Sequence, residues 1–167
     1  MSQAAQDYFR SERAGLLFAL MFAGVLVGVA VWLASSGVGF RRGLAGALVA
    51  QALLLLGTGL PLLIRDRANE ARFVESSARG DESWVPTERA RMKAVVDRFP
   101  GYFVGYGATL LLSGVLVLAW RNEVVRGIAT GLAFFAVFAL IVDDVSHRRA
   151  RGYADTLHAE VTPSDAP

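Results

Sequence analysis

Charged residues are absent from four long blocks of this chain, at positions 14–40, 43–64, 99–120 and 127–142. These blocks make up just over half of the 167 residues, and nothing else in the sequence constrains the fold as strongly. A soluble core of this size is assembled from shorter amphipathic elements, whose outer faces bring in a charge every few residues. Roughly 20 apolar residues, at about 1.5 Å each, cross the ~30 Å of hydrocarbon in a bilayer. The first three blocks meet that length. The fourth, GIATGLAFFAVFALIV, is short at 16 residues. The expected fold is all-α: a polytopic membrane protein with four transmembrane helices arranged as two antiparallel hairpins.

The polar segments set the remaining boundaries. Residues 1–13 read as a polar N-terminal tail, with Tyr8, Phe9, Arg10 and Arg13 suited to a headgroup surface. This stretch carries Asp7 and Glu12, and the apolar run behind it is too long for a signal-peptide core, so a retained first helix is expected. The first hairpin covers 14–64, its helices at about 14–34 and 43–64 joined by the short, turn-rich SSGVGFRR. The second covers 99–142. Pro100 opens its first helix where a missing N–H costs nothing, and its second begins near Glu123 or Val124 after Arg121-Asn122. Residues 65–98 form the one substantial polar connection, 143–160 a helical extension, and 161–167 a tail expected to be disordered.

Orientation follows from the positive charges. Thirteen Lys and Arg residues fall in the N-terminal tail, the 65–98 segment and the C-terminal tail, against four in the two short links. Both termini are therefore expected in the cytoplasm. Aromatic residues agree, with Trp32, Phe40 and Trp120 at one interface and Tyr8, Phe9, Trp84, Phe99 and Tyr102 at the other. The basic residues are 16 Arg and a single Lys, Lys93, a bias that points to a GC-rich bacterial genome and so to a bacterial inner membrane. The hairpins also resemble each other: Arg42-Gly43-Leu44-Ala45-Gly46-Ala47-Leu48 can be laid on Arg126-Gly127-Ile128-Ala129-Thr130-Gly131-Leu132. A tandem duplication is one reading. Chance alignment of Gly, Ala and Leu is the other.

Within 65–98, Gly80-Asp81 is expected to end an extension of the second helix, and Thr87 to cap a short one. In that short helix Met92, Val95, Val96 and Phe99 recur at i, i+3, i+4 and i+7, one apolar stripe with Trp84 just ahead of it. Such a stripe can lie in the membrane surface or pack on its own protein.

Few residues offer chemistry. The absence of cysteine excludes thiolate nucleophiles, disulfides and Cys-ligated metals. A net charge of +2 gives no case for nucleic acid. No GxSxG, HExxH, phosphate-cradling loop or CxxC is present, and the first three blocks contain no acid and no histidine. No cofactor or metal is expected. Gln51, the one strongly polar side chain near mid-membrane, should face another helix, with Thr109 or Ser113 as candidate partners. Small residues supply close-packing faces: Gly24 and Gly28, Gly101 and Gly105, Gly127 and Gly131. At the end of the fourth block Asp143, Asp144, His147 and Arg148 cluster on a helix, with carboxylates three and four residues from an imidazole. That spacing can handle a proton or cation, or simply form ion pairs. Asp144 can reach Arg148, and Asp143 can reach Arg65 or Arg67.

These residues lead to an expectation by elimination. The chain reads as a non-catalytic accessory, assembly or interaction subunit, working through its charged face and small-residue helix faces. Its expected partners are the lipid bilayer and another membrane protein or a second copy of itself, not nucleic acid. The alternative is a small homo-oligomeric channel or transporter with Asp143, Asp144 and His147 at its mouth.

Overall fold

The computed structural model describes residues 3–35, 37, 39–78 and 84–159, and for 3–6, 71–78 and 158–159 the backbone alone. These residues form five α-helices: α1 (Gln3–Ala34), α2 (Gly39–Ala78), α3 (Trp84–Val96), α4 (Phe99–Ala119) and α5 (Glu123–Ala159). Four helices are long and apolar enough to cross a membrane. The Gly80-Asp81 break and the 161–167 tail lie outside the described residues.

Helices α1, α2 and α5 all outrun their apolar blocks. Their polar extensions are rich in Ala, Arg, Glu and Gln, residues that lose little side-chain freedom in a helix. The stretch read as an N-terminal tail is thus mostly the first turns of α1. Gly37 makes the turn between α1 and α2 at φ +75°, a conformation open to glycine and strained for other residues. Asn122 opens α5: its side-chain oxygen accepts the N–H groups of Val124 (2.9 Å) and Val125 (3.3 Å), as an N-cap does. Pro100 stands in the first turn of α4, and Thr87 falls inside α3 rather than at its start.

Packing is organised along α5. Helix α2 lies along one side of it, with residue numbers rising together, while α4 and α3 pack elsewhere on its surface. Helix α1 seats Ala23, Leu26, Ala30 and Leu33 against Ala45, Leu48 and Ala52 of α2. It also reaches α5 through aromatic rings, Phe22 lying 4.1 Å from Phe138 between centroids. Helix α4 is the least covered, with 6% of its apolar window buried. The α1–α2 and α4–α5 links lie together at one end, the link end, and α3 lies at the opposite, polar end.

The polar end has a core of its own. Tyr8, Phe9, Met92, Phe99, Ala150, Tyr153 and Leu157 are buried together, with Trp84, Val95 and Val96 packed around them. The apolar stripe of α3 therefore packs on its own protein. Tyr8, Phe9 and Phe99, expected at an interface with headgroups, are buried in this core instead of lying open at its surface. Burial of large aromatic area explains the difference, because α1 and α5 extend far enough to enclose the stripe. An ion pair between Arg13 of α1 and Glu70 of α2 ties the rim together, while within α3 buried Glu88 accepts both Nε and Nη2 of Arg91.

Candidate functional site

The seam between α2 and α5 is built by glycine. A Cβ on Gly43 would collide with the Val124 carbonyl, one on Gly127 with the Phe40 carbonyl, and one on Gly131 with the Cβ of Ala47. Backbone meets backbone here, so no side chain can swing aside to make room. Lipid supplies no hydrophobic drive between helices, and close approach of this kind replaces it with dispersion contact. Of the residues expected to pack helices, Gly127 and Gly131 lie in this seam. Gly24, Gly28, Gly101 and Gly105 instead face open space.

Gln51 sits beneath the same seam, 4% exposed. Its Nε2 donates to the Gly131 carbonyl at 2.7 Å, and its Oε1 has no hydrogen-bond partner among the described residues. The expected bond to α4 does not form, because α4 packs chiefly on α5. The Thr109 hydroxyl turns back to the carbonyl of Gly105 in its own helix (2.8 Å). Ser113 is buried, and its Oγ has no partner among the described residues.

Toward the polar end, α4 and α5 meet through polar and aromatic side chains. Tyr106 donates its hydroxyl to Asp143 Oδ2 at 2.6 Å, so Tyr106 takes the place expected of Arg65 or Arg67, and Arg65 bonds Asp66 instead. His147 stacks on Phe99 with centroids 4.8 Å apart and lies 5.9 Å from Phe103. Its Nε2 is buried without a partner among the described residues. Asp144 turns the other way and pairs with Arg148 at 2.9 Å. The four residues predicted to cluster are thus divided, Asp143 and His147 against α4, Asp144 and Arg148 outward. Among the described residues, no group of three or more His, Asp or Glu side chains is placed to hold a metal ion.

Tyr106 is the contributor that sequence reasoning missed, although Phe99, Phe103 and Tyr106 recur at i, i+4 and i+7 on α4. Gly43 was missed as a packing residue too. Its signal lay in the repeat, where it aligns with Gly127. The arrangement can bury a carboxylate on a hydroxyl donor and shield an imidazole between rings, and it offers no nucleophile.

Comparison with known families, with characterised proteins and with solved structures finds no match for this chain.

Proposed function

We propose that the chain is a non-catalytic subunit of a bacterial plasma membrane, with both termini cytoplasmic, that assembles with another membrane protein or with itself. One observation carries this reading. The α2–α5 seam uses its small residues internally, whereas Gly24 and Gly28 of α1 and Gly101 and Gly105 of α4 look outward onto open space. A glycine pair on a lipid-facing surface weakens its own helix and gains nothing from lipid, so an outward pair suits a partner helix.

In this reading the helices form two antiparallel hairpins, α1 with α2 and α4 with α5, descended from one ancestral hairpin. The seam supports the duplication. Gly43 meets Val124 and Gly127 meets Phe40, and an offset of 84 residues converts each pair into the other; it also carries Ala47 onto Gly131, which touch. Reciprocal contacts of this kind suit an approximate two-fold axis along the membrane normal. The polar end, which carries twelve of the sixteen Lys and Arg residues among the described ones, is the cytoplasmic face. Its buried aromatic core provides a rigid platform for protein contacts.

The test is the native mass of the protein extracted gently from its own membranes. A second polypeptide in fixed stoichiometry, or a homo-oligomer disrupted by Gly24→Leu with Gly28→Leu, supports the proposal. A monomer with no companion in either membranes or extract refutes it.

A further inference from the structure

A cleft of about 530 Å³ runs down the flank of the α2–α5 seam that faces away from α1. Arg42, Gly46, Ala50 and Leu54 follow one another at four-residue intervals along its α2 wall. Its α5 wall is bulkier, with Ile128, Leu132 and Phe135. The cleft exists because α2 is small where α5 is large, and a Cβ built at Gly46 would meet nothing within 4 Å.

Its dimensions select an occupant. From Arg42 to Leu54 the α2 wall extends about 18 Å at 1.5 Å per residue, close to the ~15 Å of one leaflet's hydrocarbon. A single extended acyl chain spans that length. Apolar lining with a charge at one end is also the usual makeup of a small-molecule site.

The charge at the link end points the same way. Arg41, Arg42, Arg121 and Arg126 gather there with one acid, Glu123, which already pairs with Arg126 at 3.3 Å. Arg42 lines the cleft at its link end and immediately precedes the apolar block 43–64, so with that block in hydrocarbon its guanidinium falls at the headgroup boundary. We infer that the cleft holds one chain of an anionic phospholipid whose phosphate is bound by Arg42. A chain moving from bulk lipid into the cleft gains no hydrophobic energy, so selectivity comes from the headgroup and retention from the fit.

The experiment is native mass spectrometry of delipidated protein after adding back phosphatidylglycerol, phosphatidylcholine with the same chains, or glycerol phosphate. One phosphatidylglycerol per chain is expected, held more strongly than phosphatidylcholine, with no effect of glycerol phosphate. Arg42→Gln should weaken phosphatidylglycerol about fivefold, the equivalent of roughly 1 kcal/mol for one arginine at an anionic surface. Ala50→Phe should abolish retention by filling the cleft. Both residues are exposed on the cleft wall, and helical circular dichroism with monodisperse elution checks that the variants fold. Equal retention of the two lipids, wild-type retention in both variants, competition by glycerol phosphate, or a polypeptide cross-linked at Ala50 would each overturn the assignment.

Discussion

Tyr8 and Tyr153, from opposite ends of the chain, stack with ring centroids 4.5 Å apart and planes 11° from parallel. This pair closes the polar-end core around Met92 and Leu157, each at most 1% exposed. Tyr8→Ala removes a buried ring and should cost about 3 kcal/mol of local stability. Limited proteolysis of the protein in mild detergent reads it out, with cleavage near 8–13 expected to accelerate sharply. Cleavage at the wild-type rate would mean that the N-terminal turns of α1 are held by something other than this stack.

Two glycine pairs should respond oppositely to the same small change. Gly127→Ala places a methyl group against the Phe40 carbonyl, and overpacking of this kind costs about 1–3 kcal/mol, more than the ~1 kcal/mol that alanine returns in helix propensity. Gly28→Ala meets nothing within 4 Å and should be neutral or stabilising for the isolated chain. Thermal aggregation in detergent ranks them. The reverse order would contradict the α2–α5 seam.

Gln51 is a case where the near-isostere should do more damage than the apolar replacement. Gln51→Leu loses one bond to Gly131 but also removes the unpartnered Oε1, so a change within about 1 kcal/mol is expected. Gln51→Glu, when ionised, has no donor and sets a carboxylate against the Gly131 carbonyl. A charged residue near the bilayer centre costs about 2.5–3.5 kcal/mol. Denaturation in mixed micelles distinguishes them, and equal stability of the two variants would place Gln51 in water.

The Tyr106 to Asp143 bond should behave as a coupled pair. Hydrogen bonds to a charged group contribute about 1.5–3 kcal/mol, and leaving such a group part-buried without its donor costs a similar amount. Tyr106→Phe is expected to destabilise more in the native background than in Asp143→Asn, and a double-mutant cycle measures the difference. Additive effects would dissolve the pair.

Helix number and the extents of the apolar blocks were legible in the sequence because the absence of charge over 16 or more residues is a local property. The small-residue repeat was equally visible, and so was the i, i+4 spacing that joins Asp144 to Arg148 on one helix. What could not be read was direction around each helix. Gly24-xxx-Gly28 and Gly127-xxx-Gly131 have the same pattern, yet one faces open space and the other a neighbouring backbone.

By itself, then, the sequence determined that this is an all-helical chain with four helices suited to a membrane, since solvation of the backbone and of apolar side chains is decided segment by segment. The tertiary structure alone decided which faces meet. It put Gln51 on Gly131 instead of Thr109 or Ser113, gave Asp143 to Tyr106, and folded the α3 stripe under Tyr8 and Tyr153. Those choices depend on how helices distant in sequence rotate against one another, and that rotation is set by close packing between surfaces that no single segment contains.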